Sequence, residues 1–131
     1  MPRPRRDVTD TELAILQVLW QKGEGTPRQI TDAIYPTGGP AQYATVQKLL
    51  ERLEAKGHVC HSRAGGTLTF RAVVAREELI HRRLVEVAQK LCGGSMTPLL
   101  MNLVQAKALS ADEFRALQDL VKDLSQRFRR V

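Results

Sequence analysis

At 131 residues the chain has room for one domain, or for a small domain with an appendage. Its 43% hydrophobic content can support a core, and a net charge of +6 suits a polyanionic partner without requiring one. Two isolated cysteines, Cys60 and Cys92, argue against a disulfide framework and fit a reducing cytoplasm, and no apolar run approaches the ~20 residues that membrane insertion needs.

The opening MPRPRRD has no apolar segment behind its arginines. Residues 1–8 therefore read as a flexible basic arm, carrying Arg3, Arg5 and Arg6, rather than as a secretory signal. Thr9 and Glu12 then stand at capping-box spacing. Leu13, Leu16, Leu19 and Trp20 recur at helical spacing to about residue 22, where Gly23 and Gly25 stop the helix. Trp20 reads as core. A second helix starts at Thr26-Pro27, a cap followed by a proline where proline is tolerated, and runs to about residue 35 with Ile30 and Ile34 inward. The cluster Pro36-Thr37-Gly38-Gly39-Pro40 is a turn.

Residues 41–56, AQYATVQKLLERLEAK, are the centre of the chain. Val46, Leu49, Leu50 and Leu53 form one apolar stripe, and the opposite face carries Ala41, Ala44, Thr45, Lys48 and Arg52, with Glu51 at its edge. A helix with a buried back and a thin, basic, hydrogen-bonding front can lie in a DNA major groove. The same lysine and arginine also suit a merely solvated surface helix. Gly57 occupies the position of a left-handed C-cap. The period then changes. Residues 59–63 and 68–73 read as two short strands around Ala64-Gly65-Gly66-Thr67. Three short helices and a hairpin, over residues 9–75, are the order of a winged helix-turn-helix. Arg63 and Arg71 flank the tip, where a wing can lay either on a phosphate.

The fold expected is mainly α with this one small β-hairpin, and residues 76–131 are helical again. Ile80, Leu84, Val87 and Leu91 are spaced four, three and four over residues 76–91, and Gly93-Gly94-Ser95 breaks that helix. A short helix over 98–107 carries Leu99, Leu100, Leu103 and Val104. Ser110 and Glu113 form another capping pair. Phe114, Leu117, Val121, Leu124 and Phe128 then approach a heptad seam. Three such helices cannot easily form an independent globule. Either a second copy of the chain covers them, which makes 76–131 a dimerisation region, or they fold back on the N-terminal domain. In the homodimer the expected interface draws on Ile80, Leu84, Leu99, Leu103, Phe114, Leu117, Val121 and Leu124.

No enzymatic site emerges, and no cofactor is expected. Strand alternation sends His58 and Cys60 to one face and His61 to the other, while His81 and Cys92 lie elsewhere, so no metal-ligand spacing exists. Neither glycine pair matches a phosphate loop. Glu77 and Glu78 suit the first turn of a helix.

The phrases DTELAILQVLW and YATVQKLLERLEAKG, with the strand pair ending in Phe70, resemble the BlaI/MecI family of bacterial repressors. The tract PLLMNLVQAKALSADEFRALQDLV is similar to that family's dimerisation segment, and the likeness spans residues 10–124. It implies a homodimeric winged-helix repressor on a palindromic double-stranded DNA operator. It also implies a membrane sensor-protease as signalling partner, with repression relieved by loss of dimerisation. Carried over by position, the groove contacts are Ala44, Thr45, Lys48 and Arg52, with Gln42 and Tyr43 at the helix start. Some members have Lys at the Ala44 position and Thr at the Lys48 position, so operator sequence does not transfer. The family's cleaved bond, Asn-Phe in some members, falls on Asn102-Leu103, with Leu here in place of Phe. The C-terminal CxC pair of the copper-responsive relatives is missing. A winged-helix protein-interaction module and a small-molecule-sensing regulator are the alternatives to this reading.

Overall fold

The computed structural model describes residues 8–106 and 108–129, with side chains to Arg127. Arg3, Arg5 and Arg6, Lys107 and the side chain of Phe128 lie outside these. The element order is α1 (Asp10–Lys22), α2 (Pro27–Ile34), α3 (Pro40–Ala55), β1 (Val59–Ser62), β2 (Thr69–Ala72), α4 (Arg76–Leu91), α5 (Thr97–Gln105) and α6 (Ala111–Arg129). This is a helix-turn-helix followed by an antiparallel wing and then three further helices. The chain divides into two compact units, with the division between Ile80 and His81, inside α4 rather than at its start.

The first unit is built by local signals that agree with one another. The Thr9 hydroxyl accepts from the Glu12 amide at 3.2 Å while the Glu12 carboxylate accepts from the Thr9 amide at 3.0 Å, which satisfies two donors of the first turn of α1. Thr26 and Gln29 repeat this box at α2, at 3.1 and 2.9 Å. The stripe Val46, Leu49, Leu50 and Leu53 is buried as its spacing predicts. At the end of α3, Gly57 adopts φ +82°. Its amide donates to Glu54 O and the His58 amide to Leu53 O, the pair of bonds of a Schellman cap. The strands pair Val59 with Ala72, Cys60 with Arg71, His61 with Phe70 and Ser62 with Thr69. Their connection is one 3-10 turn, Ala64–Gly66, in which Gly65 and Gly66 both have positive φ.

Several core features differ from the sequence expectation. Ile15, outside the predicted stripe of α1, is fully buried, whereas Leu13 is only half-buried. Val8, assigned above to the arm, is 3% exposed and belongs to the core cluster, as do Val74 and Leu79 from the chain after the wing. Gly25, expected only to stop α1, also exchanges two backbone hydrogen bonds with Phe70, at 2.9 and 2.8 Å. That bridge fastens the wing to the segment entering α2. Trp20 is half-buried against the core and donates its indole N–H to Val74 O at 2.9 Å.

Beyond Ile80 the local signals persist. Gly93 and Gly94 have positive φ and close α4, with the Gly94 amide on Ala88 O. Ser110 and Glu113 cap α6 reciprocally at 3.0 and 3.1 Å. The Ser110 amide, then its hydroxyl, hold the Glu113 carboxyl below its ordinary value. The apolar side chains, however, largely face outward. Among the described residues Ala88 is the one buried position in this stretch. Between α5 and α6 lies an apolar groove of about 540 Å³, lined by Leu100, Leu103, Val104, Leu117, Leu120 and Val121 among others.

Candidate nucleic-acid interface

The outward face of α3 follows from its buried one. With Val46, Leu49, Leu50 and Leu53 inside, Ala41, Ala44, Thr45, Lys48 and Arg52 are all exposed. Glu51 is not at the edge. Ala44, Lys48, Glu51 and Ala55 stand at i, i+4, i+7 and i+11, which lines them up along one side of the helix, and all four are exposed. Lys48 and Arg52 form no ion pair among the described residues, and neither do Arg63 and Arg71 on the wing.

Three residues at this surface are engaged within the protein. The Thr45 hydroxyl donates to Ala41 O at 3.0 Å, so its hydrogen is used within the helix while its lone pairs and methyl remain. The Gln42 carboxamide oxygen accepts from the Gly39 amide at 2.8 Å, closing the start of α3 and leaving its NH2 to donate. Tyr43 is half-buried, and the Arg28 guanidinium lies 4.8 Å from its ring centroid. Arg28 had no sequence signal beyond its charge, because the contact needs the packing of α2 on α3.

The far end of α3 is tied down twice. Lys56 reaches Glu12 at 2.7 Å, its side chain 20% exposed and that of Glu12 only 1%. Burial pushes the Glu12 carboxyl up, but the Lys56 hydrogen bond, the Thr9 amide and hydroxyl and the Lys56 charge outweigh it and hold the group below its ordinary value. On the other side, His61 of β1 donates from Nδ1 to the Glu54 carboxylate, at 2.6 Å to Oε2, while its ring sits 5.8 Å from that of Phe70. Neither tie was foreseen from the sequence. Helix and wing are thus connected through named side chains.

The remaining sequence candidates fall as follows. Ile80, Leu84, Leu103, Phe114, Val121 and Leu124 are between 39% and 54% exposed, and Leu99 and Leu117 are half-buried. Asn102 and Leu103 are exposed but lie inside α5, where the Ala106 amide bonds Asn102 O at 2.9 Å. His58 is buried, and Cys60 and Cys92 are free and half-buried. Among the described residues no group of three or more His, Cys, Asp or Glu is placed to hold a metal ion, and no helix is long and apolar enough to cross a membrane.

Residues 8–123 match the family described as "Penicillinase repressor". The chain belongs to that family. Its members are transcriptional regulators and not enzymes, and this chain is a transcriptional repressor. The "Transcriptional regulator BlaI" of Mycobacterium tuberculosis is 32% identical over 117 residues, 88% of this chain and 83% of that protein. The "Methicillin resistance regulatory protein MecI" of Staphylococcus aureus is 19% identical over 115 residues, 88% of this chain and 93% of that protein. An uncharacterized 16.5 kDa protein of Latilactobacillus sakei is 24% identical over 121 residues, 92% and 82% of the two chains. These relatives align with the chain over most of their lengths, so the likeness takes in both compact units.

Proposed function

We propose that this repressor acts in the cytoplasm as a homodimer on a palindromic duplex operator. The observation that carries the reading is the outward face of α3, where Lys48 and Arg52 have no ion-pair partner among the described residues and the helix back is a buried stripe. Arg52 and Lys48 meet base edges, with guanine their usual partner at about 1–3 kcal/mol of discrimination for a good bidentate pair. Ala44 permits close approach, the Thr45 methyl suits a thymine methyl, and the Gln42 NH2 donates at the helix start. Glu51, in line with Lys48, suits the amino group of a cytosine. Arg63 and Arg71 lie on backbone phosphates and set register.

Dimerisation is supported by the outward apolar side chains beyond Ile80. Ile80, Leu84, Leu99, Leu103, Phe114, Leu117, Val121 and Leu124 supply the interface. A two-fold pair of reading helices then matches a two-fold operator. Induction follows from loss of the dimer, with a membrane sensor-protease as the signalling partner. Cleavage at Asn102-Leu103 requires α5 to unwind first, since a protease takes its substrate extended. The nine residues of α5 are too few for stability as an isolated helix, so local opening is accessible.

The test is binding of the purified protein to its own promoter fragment and to a scrambled duplex across a salt series, with mass from light scattering. A dimer that prefers the promoter, with affinity falling steeply as salt rises, is the expected result. Weak, salt-insensitive retention on both duplexes would instead mark a protein-interaction module.

A further inference from the structure

We propose that Arg28 grips a backbone phosphate beside the start of α3, and that Tyr43 is its positioning residue rather than a contact in its own right. This deepens the duplex-binding reading above and rests on it. Arg28 is the second residue of α2 and is exposed, and Tyr43 is the fourth residue of α3 and is half-buried. The guanidinium carbon lies 4.8 Å from the Tyr43 ring centroid. An exposed arginine ordinarily samples many rotamers, and a cation–π contact with an aromatic face restricts it. The ring face is not a conventional hydrogen-bond acceptor, so this contact leaves the guanidinium N–H donors to bond elsewhere. Among the described residues no carboxylate pairs with Arg28. A planar cation held in place, with its donors unused, is matched to an acceptor that takes two parallel N–H bonds. On a duplex beside a groove-reading helix that acceptor is a phosphate. Tyr43 immediately precedes Ala44, at the head of the outward row of α3, so the grip falls next to the bases that row reads.

The experiment uses the full chain, its promoter fragment and a scrambled duplex of equal length, in a salt series. Arg28→Ala is expected to weaken binding about tenfold, equally on both duplexes, and to reduce the slope of log affinity against log salt by about one. Tyr43→Phe keeps the ring and is expected to bind as the wild type does. Tyr43→Leu is expected to lose as much as Arg28→Ala, and the double variant no more than either single one. Melting temperatures are read for every variant, and Arg28→Ala with Tyr43→Phe carry the test alone if Tyr43→Leu does not fold. An unchanged salt slope in Arg28→Ala overturns the proposal. So does a loss in Tyr43→Phe, which would make the hydroxyl the contact. If the wild type itself shows no salt-dependent binding to either duplex, the duplex-binding reading fails and this proposal with it.

Discussion

The two compact units use the same local chemistry to different ends. Each has reciprocal capping at a helix start, glycine stops and helices with an apolar stripe. In the unit ending at Ile80 the stripes converge, and Ile15, Leu16, Ile30, Val46 and Leu53 are withdrawn from water. Beyond it, Leu91, Leu100, Leu120 and Val121 are more than half exposed. Burying a large aliphatic side chain is worth roughly 1.5–3 kcal/mol, so the first unit has already realised this stabilisation and the second has it still to gain. Well-formed helices, then, do not imply a finished core.

The sharpest way to break this contrast is to change the outward residues. Leu117→Asp with Leu124→Asp is expected to give a folded monomer that binds its operator about 10²–10⁴-fold more weakly, the loss that follows from removing a linked second site. Sedimentation and operator titration check both parts, and a variant that stays dimeric would place the seam elsewhere. Leu53→Ala addresses the other side of the contrast. It is expected to destabilise the chain by about 2–5 kcal/mol in denaturant titration, with the oligomeric state unchanged.

Lys56→Met leaves the Glu12 carboxylate buried without its cation. A loss of about 2–4 kcal/mol is expected, below that of a wholly buried pair because Lys56 is partly exposed. Glu12 has a depressed value in the folded chain, so its contribution is present above the ordinary carboxylate range and disappears as pH falls through the folded value. The gap between variant and wild type should therefore narrow on acidification, and parallel denaturation curves at neutral and acid pH test this. Arg52→Ala should cost about 1–3 kcal/mol of operator preference with the fold intact. The smallest effect is expected from Glu51→Gln. Removing one acid from the line of Ala44 and Lys48 should raise affinity for any duplex a few-fold while narrowing the preference for the operator. A uniform rise with preference unchanged would show that Glu51 only repels phosphate.

Much of this architecture was legible in the sequence because it is written in short spacings. The α3 stripe, the caps at Thr9 and Ser110, the Gly57 cap and the hairpin all depend on residues within one or two turns of each other. The features that escaped depend on distant partners. Glu12 meets Lys56 across 44 positions, and Trp20 meets Val74 across 54. Phe70 pairs with Gly25, and it is Ile15 rather than Leu13 that is buried in α1, a helix whose neighbours α3 and β2 lie far along the chain. In the candidate site, the line of Ala44 and Lys48 could be read from the spacing. The contact of the Arg28 guanidinium with the Tyr43 ring could not, because residue spacing within one helix says nothing of its neighbour.

The last turn of α3 is bolted on one flank to α1 through Lys56 and Glu12, and on the other to the wing through Glu54 and His61. Leu53 of α3 and Val59 and Phe70 of the wing also share one buried cluster, so helix and wing are the two jaws of one caliper. If the jaws span a groove and the flanking backbone, as the proposed reading has it, their gap is set before any duplex arrives. The duplex must then do the adjusting, and base steps that neither jaw touches are selected by how readily they widen or bend to fit.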